Sequence, residues 1–365
     1  MRFTFTEEQR RFQASIRTFL EKECTPAHVR GLWTTETGRS PERWAKLAEI
    51  GLLGLLVPER FGGLGMDEID LVLLLEETGR AALPEPVIET AAVGVPLLAA
   101  LDAQQECAGS PEVAGGSPDA AGRARELAGG WLARVVSGDA VVTVGHGANP
   151  LVTDAHVADL LLLQHGDEVH ALSREHATLE RQPCADPSRR LFRVTWSPAS
   201  ATRVALGEAG RRLLAAAFDR GALGAAAQLL GIGQTLVDMA VRYACQREQF
   251  GKPIGSFQAV KHMLANVAVR LEFARPVVYR AAFSVARDAA TRAVDVSHAK
   301  VAASEAAVQA AKVALQVHGA VGYTWEMDLH IWMKRAWALE AAWGTGAWHR
   351  ERVAAAILDN GADSR

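Results

Sequence analysis

Three side chains in one short stretch have the chemistry to hold an anionic ligand with an aromatic part. They are Arg247, Phe250 and Gln258, within YACQREQFGKPIGSFQAVKH from Tyr243 to His262. The guanidinium of Arg247 is a planar, five-donor cation that grips phosphate oxygens in pairs. Phe250 offers an aromatic face beside it. Gln258 falls in the first turn of a helix, where free backbone N–H groups and the helix dipole favour negative charge. Together they read as a pyrophosphate-and-base site, although physics alone favours the plainer reading of an Arg and a Phe tightening an interhelical corner. The positioning elements follow from periodicity. Leu229, Ile232, Leu236, Met239 and Tyr243, spaced by three and four, predict a helix entering the stretch. Gly251 and Pro253 stop it, Ser256 can cap the next, and Phe257, Val260, Leu264, Val267 and Leu271 carry the same spacing onward.

The run R-x-Q-F-G-K-P-I-x-x-F-Q, from Arg247 to Gln258, resembles the signature of the acyl-CoA dehydrogenase family. Its members are FAD-dependent, and in them this arginine and the residues after it reach across a subunit interface to the pyrophosphate and adenine end of a neighbour's FAD. Gln316-Val317-His318-Gly319-Ala320-Val321-Gly322-Tyr323 is similar to the family's second FAD element, Q-x-x-G-G-x-G-Y, departing from it at Ala320. Small residues there let backbone approach a ligand closely. The resemblance implies Arg247, Gln249, Phe250, Phe257, Gln258, Gln316, Val317, Gly319, Ala320 and Thr345 as FAD-binding positions. The run TWEMDLHIWMKRA that follows is similar to actinobacterial members linked to steroid and branched-chain acyl-CoA breakdown.

The family reaction removes a proton beside a thioester and passes a hydride to the flavin, so the protein must supply a base. By resemblance the base of most members falls at Trp343 in Ala342-Trp343-Gly344-Thr345, and the alternative site on the preceding long helix falls at Gly221, beside Ala222. Neither residue accepts a proton. Glu340 and Asp219 are the nearby carboxylates; for Glu340 a solvated or salt-bridged helix carboxylate is the favoured reading, and neither is taken as the base. The family's flavin-ring loop and its Trp-Ile strand are also missing: Val144-Gly145-His146-Gly147-Ala148-Asn149-Pro150 stands where the loop belongs.

The remaining chain predicts a mainly α protein with a small middle β domain. Residues 1–101 read as an N-terminal helical domain, 102–130 as a Gly/Ala/Ser/Pro-rich flexible linker, 131–207 as the β domain and 208–365 as a C-terminal helical bundle. Thr6-Glu7-Glu8-Gln9 is a capping box, and Ser40-Pro41 opens a second helix. The turn GLLGLLVPERFGGLG precedes a helix with the pair Glu76 and Glu77, as in the family's N-terminal domain. Pro276 is expected to kink or interrupt its helix. Gly221, Gly224, Gly231 and Gly233 lie inside a helical period and read as close packing rather than a dinucleotide fingerprint.

The 365 residues are 49% hydrophobic with a net charge of −3, enough for a large core and without the basic footprint of a nucleic-acid binder. Four scattered cysteines without metal spacing point to free thiols in a reducing, cytoplasmic compartment. No apolar run of signal-peptide or bilayer-spanning length stands out, so no membrane insertion is expected. His146, His156, His165, His170 and His176 lack the spacing of a zinc set and read as surface or turn residues, with no metal expected.

An outer FAD grip joined to a missing base and flavin clasp implies one half of a hetero-oligomer. By resemblance to steroid-degrading α2β2 assemblies, the partner is a second acyl-CoA dehydrogenase-like chain that carries the base, and the substrate is an acyl-CoA with a sterol side chain. The alternatives are a self-sufficient homo-oligomer with a displaced base and a scaffold subunit without catalysis.

Overall fold

The computed structural model describes residues 4–103 and 118–362. Helices α1 (Glu7–Glu23), α2 (Pro26–Leu32), α3 (Pro41–Glu49), α4 (Glu68–Arg80), α5 (Val95–Ala103) and α6 (Pro118–Val136) come first. Seven strands follow: β1 (Val142–Gly145), β2 (Val152–Thr153), β3 (Leu160–His165), β4 (Glu168–Leu172), β5 (Thr178–Gln182), β6 (Leu191–Thr195) and β7 (Arg203–Ala205). The 40-residue α7 (Gly207–Gln246), the two-residue strands β8 (Glu248–Gln249) and β9 (Lys252–Pro253), and helices α8 (Gln258–Ala286), α9 (Arg292–His318), α10 (Leu329–Ala341) and α11 (Gly346–Ala362) complete the chain. The protein is mainly α with a small β region, as the sequence predicts.

The chain divides into two compact units. One comprises residues 1–31, 72–83 and 222–365, the other residues 32–71 and 84–221, so α7 contributes to both. In the first unit the Thr6 capping box forms: Thr6 Oγ1 accepts from Gln9 N at 3.2 Å and Gln9 Oε1 from Thr6 N at 2.9 Å. The pair Glu76 and Glu77 is buried and fully engaged. Glu77 receives Gln13 at 2.7 Å and Arg17 at 2.7 and 2.9 Å, while Glu76 receives Tyr279 at 2.9 Å and pairs with Arg275. These carboxylates tie α1 and α8 to α4. Pro276 lies inside α8, which does not break. A proline removes one ladder bond, and Leu271, Ala274 and Val278, all buried, hold both sides of it in the core.

In the second unit the sheet order is β1-β3-β4-β7, with β1 and β3 parallel and the other pairs antiparallel; a second sheet runs β2-β6-β5. Val152, Leu161, Leu163, Leu172 and Phe192 form a shared core between the sheets. Strands β2 and β7, of two and three residues, are too short to show alternation in the sequence. The stretch read as a linker is also corrected. Residues 104–117 lie outside the described residues, but 118–130 belong to α6, whose Ala128, Leu132 and Val135 are buried. Asp102, expected in the linker, is a buried residue of α5 paired with Arg60 and, at 3.3 Å, with Arg125 of α6. Alanine is the strongest helix former, so an Ala-rich run without large apolar residues folds as helix while showing no period.

Among the described residues one helix, α7, is long and apolar enough to cross a membrane, and 83% of that apolar stretch is buried within the protein, as in a core helix.

Candidate functional site

The predicted corner is a tight hairpin between two helices. Glu248 pairs with Pro253 and Gln249 with Lys252, leaving Phe250 and Gly251 as the two turn residues, with φ of 55° and 74°. Two successive positive φ values match a type I′ turn, which glycine adopts freely and phenylalanine rarely does. The result is a ring held outward: Phe250 is 91% exposed. Phe257 meets it edge-on at 6.1 Å, and the Lys252 ammonium lies 4.5 Å from the Phe257 centroid. The backbone of Arg247 is fixed, its N–H donating to Tyr243 O at 2.8 Å and its carbonyl accepting from Ile254 N at 2.8 Å. Its side chain is exposed and makes no hydrogen bond or ion pair with the described residues.

Gln258 is exposed at the first position of α8. Ser256 does not cap that helix; the N-cap is Phe257, with no side-chain hydrogen bond. The first amides of α8 therefore keep their donor capacity for a ligand.

The second element adjoins the first within the same unit. Tyr243, one turn before Arg247, stacks on His318 with centroids 4.4 Å apart. His318 is buried, bonds Ala314 O through Nδ1 at 2.7 Å, and burial holds it below its ordinary pKa. This ring pair, missed in the sequence because its members are far apart in the chain, links the end of α7 to the end of α9. Gln316, Gly319 and Ala320 are exposed there, Gly319 with φ 64°, whereas Val317 is buried and presents only backbone. Thr345 is exposed, and its hydroxyl accepts from Trp348 N at 3.3 Å, starting α11.

Trp343, which the sequence resemblance sets at the base position, is completely buried with φ 54°. The loop around it is anchored by Lys300, itself fully buried, whose Nζ donates to Glu340 O at 2.8 Å and Gly344 O at 3.1 Å. His349 bonds Trp343 O at 2.8 Å and Ser297 at 3.0 Å. Glu340 has a structural task, its carboxylate accepting from Gly346 N at 3.4 Å at the start of α11. In the other unit Gly221 is buried on α7 and Asp219 is completely buried two residues before it.

The loop after β1 closes on itself. Asn149 N donates to His146 O at 2.8 Å, Gly147 N to Gln164 Oε1 at 2.8 Å and Ala148 N to His146 Nδ1 at 3.1 Å. All three amides are thus used internally. His146 packs on Phe218 at 5.3 Å, and burial lowers its pKa to about 4.

His170 departs from its reading as a surface or turn residue, and both it and His165 have ligand-type company. His170 is buried, and Nδ1 of His165, a carboxylate oxygen of Glu168 and Nε2 of His170 lie within 4.8 Å of one another. The signal is a spacing of three and then two residues in His165-Gly166-Asp167-Glu168-Val169-His170, visible only once the hairpin is known.

The order of the elements, helices, then a small β region, then long helices, defines the class of fold. The acyl-CoA dehydrogenase N-terminal domain model matches residues 6–117 and the acyl-CoA dehydrogenase C-terminal domain model residues 208–358. The acyl-CoA dehydrogenase IpdE2 of Mycolicibacterium smegmatis is 31% identical over 333 residues, 91% of this chain and 93% of its own length. FadE34 of Mycobacterium tuberculosis, also an acyl-CoA dehydrogenase, is 35% identical over 85% of this chain and 41% of its own. Among solved structures, the ChsE4-ChsE5 complex from Mycobacterium tuberculosis matches with a TM-score of 0.83 at 25% identity, covering 98% of this chain and 99% of that one. The chain belongs to the acyl-CoA dehydrogenase family, oxidoreductases that act on CH–CH bonds and whose cofactor is FAD.

Proposed function

We propose that this chain is one subunit of a heteromeric acyl-CoA dehydrogenase and lends its Arg247 corner to a FAD seated in a partner chain. The observation that carries the reading is the contrast within one chain. Arg247 is exposed and uncommitted beside an uncapped helix start, while a buried Trp343 stands at the base position. The Arg247 fork binds phosphate oxygens in pairs, the first amides of α8 add further donors, and Phe250 gives the adenine a face. Gln249, Phe257, Gln258, Gln316, Val317, Gly319, Ala320 and Thr345 complete that edge. FAD, when bound, accepts the hydride from the acyl thioester. The proton-accepting base and the flavin-ring contacts belong to the partner, a second acyl-CoA dehydrogenase-like chain in an α2β2 assembly. The loop at His146 supports this division, since the amides of Gly147, Ala148 and Asn149 already donate within this chain.

The likeness to a two-component complex supports the heteromeric assembly. A sterol side-chain thioester is the proposed substrate and the cytoplasm the proposed compartment. The test is a flavin spectrum with a size-exclusion mass on the chain purified alone and co-expressed with a dehydrogenase-like partner. Flavin only in the mixed assembly is the expected result; stoichiometric flavin and turnover from this chain alone would overturn the proposal.

A further inference from the structure

The β3–β4 hairpin brings together three ligand-type side chains on one face of the sheet. His165 and Glu168 are the last cross-strand pair before the Gly166-Asp167 turn, and His170 lies two residues beyond Glu168, so the pleat points all three the same way. His165 Nδ1 is 3.5 Å and His170 Nε2 is 3.1 Å from the same carboxylate oxygen, Glu168 Oε2. Nitrogen and oxygen ligands at tetrahedral zinc distances stand about 3.4 Å apart.

The hydrogen bonds around the cluster orient its lone pairs. The Thr202 hydroxyl donates to Ala199 O at 3.0 Å, and a carbonyl can only accept. Its oxygen must therefore accept from His170, whose Nδ1 is 2.9 Å away. The Nδ1 proton of His170 is thereby committed, and in the neutral ring Nε2 turns a lone pair toward Glu168 Oε2. Two acceptors facing each other at 3.1 Å require a positive centre between them. The other carboxylate oxygen, Oε1, is held by Arg203 Nη1 at 2.7 Å. Both inner ligands are thus oriented by outer partners, Thr202 for the imidazole and Arg203 for the carboxylate, the arrangement that fixes ligands in built metal sites.

We propose that this hairpin is a binding site for one borderline divalent transition cation, zinc being the reference ion. His165 Nδ1, Glu168 Oε2 and His170 Nε2 are its protein ligands. His170 is buried and forms the floor; His165, 61% exposed at the turn, closes over the ion, and the solvent side leaves the fourth position open. Two imidazoles and one carboxylate select zinc and its neighbours over magnesium or calcium, which prefer all-oxygen shells. The ion clips the turn end of β3 and β4 and, through Thr202 and Arg203, fastens the hairpin to β7. It lies outside the corner argued to hold FAD and stands independently of that assignment.

The experiment is equilibrium dialysis of the EDTA-stripped full chain against Zn²⁺, with metal analysis, for the wild type, His165→Ala and His176→Ala. His165 and His176 are both exposed hairpin-region histidines, so neither change threatens the core. One zinc per chain is expected in the wild type and in His176→Ala, with affinity weakened by roughly tenfold or more in His165→Ala. Trp196, whose ring is 4.8 Å from His170, should report the same saturation by fluorescence. Equal zinc uptake by all three proteins, or no uptake by the wild type, would overturn the proposal: a proton shared between His170 and Glu168 would then suffice.

Discussion

Two imidazoles in the second unit carry a measurable pH dependence. Burial lowers both His146 and His156 from 6.5 to about 4, the cations Arg39, Arg190 and Arg181 adding to the effect at His156. Each ring is locked in place, His146 against Phe218 and His156 on Phe192 with its Nε2 2.8 Å from Thr37 O. An unfolded chain binds protons at both from pH 6.5 downward, whereas the folded chain does so only near pH 4. Stability is therefore fully present above pH 6.5 and is lost as the pH falls through the window to 4, on the order of 3 kcal/mol for His146 and less for the more exposed His156, where solvent screens the charge. Urea unfolding at a series of pH values should show this loss in the wild type and a flatter profile in His146→Gln and His156→Gln. Unchanged slopes in both variants would contradict the assignment. Neither ring advertises its burial in the sequence, because a histidine in a connecting segment is as compatible with solvent as with a pocket. The Arg247 corner is legible for the opposite reason: the turn needs Gly251 and the proposed phosphate grip needs an arginine, so chemistry and conformation both leave marks on residue type.

At the scale of elements, the helices α7, α8 and α9 are legible because long amphipathic periods leave little choice of structure. The buried face of α9 is less so. Its larger apolar side chains Val301, Val308 and Leu315 are only partly covered, and the buried side runs through Lys300, Ala303, Ala307, Ala310 and Ala314. Alanine and a buried lysine do not announce a core. Small residues have a sharper function where α4 crosses the second half of α7. A methyl group on Gly231 would run into the carbonyl of Glu76, and one on Gly79 into that of Gln228, so backbone meets backbone at both points. Thr78 and Gln228 bond across the same crossing at 3.0 Å. The glycines thus serve close packing, not a nucleotide fingerprint. Since backbone cannot swing aside as a side chain can, Gly231→Ala should cost about 3 kcal/mol or more in denaturant unfolding. Gly130→Ala, where nothing lies within 4 Å, is the control expected to be neutral or slightly stabilising. A Gly231→Ala protein as stable as the wild type would mean that the crossing is looser than drawn.

At the scale of the whole molecule, the first unit keeps several ionic groups busy inside and leaves several aromatic ones outside. Glu76, Glu77 and Lys300 are satisfied within the core, while Phe250, Tyr323 and Trp325 are 91%, 79% and 67% exposed. Exposed rings at this level are costly to leave in water and are enriched where a surface is to be covered. In the proposed assembly, Arg247 and Phe250 act on a cofactor that another chain carries, so their loss should be silent in the isolated subunit. Arg247→Ala removes no hydrogen bond or ion pair among the described residues, and its midpoint of unfolding should match the wild type within error. In the co-purified complex the same change removes a paired phosphate grip, and FAD retention after gel filtration should fall by roughly tenfold or more. A scaffold role predicts no change in either measurement. A fall in stability of the isolated chain would instead return Arg247 to the plainer part of tightening a corner between two helices.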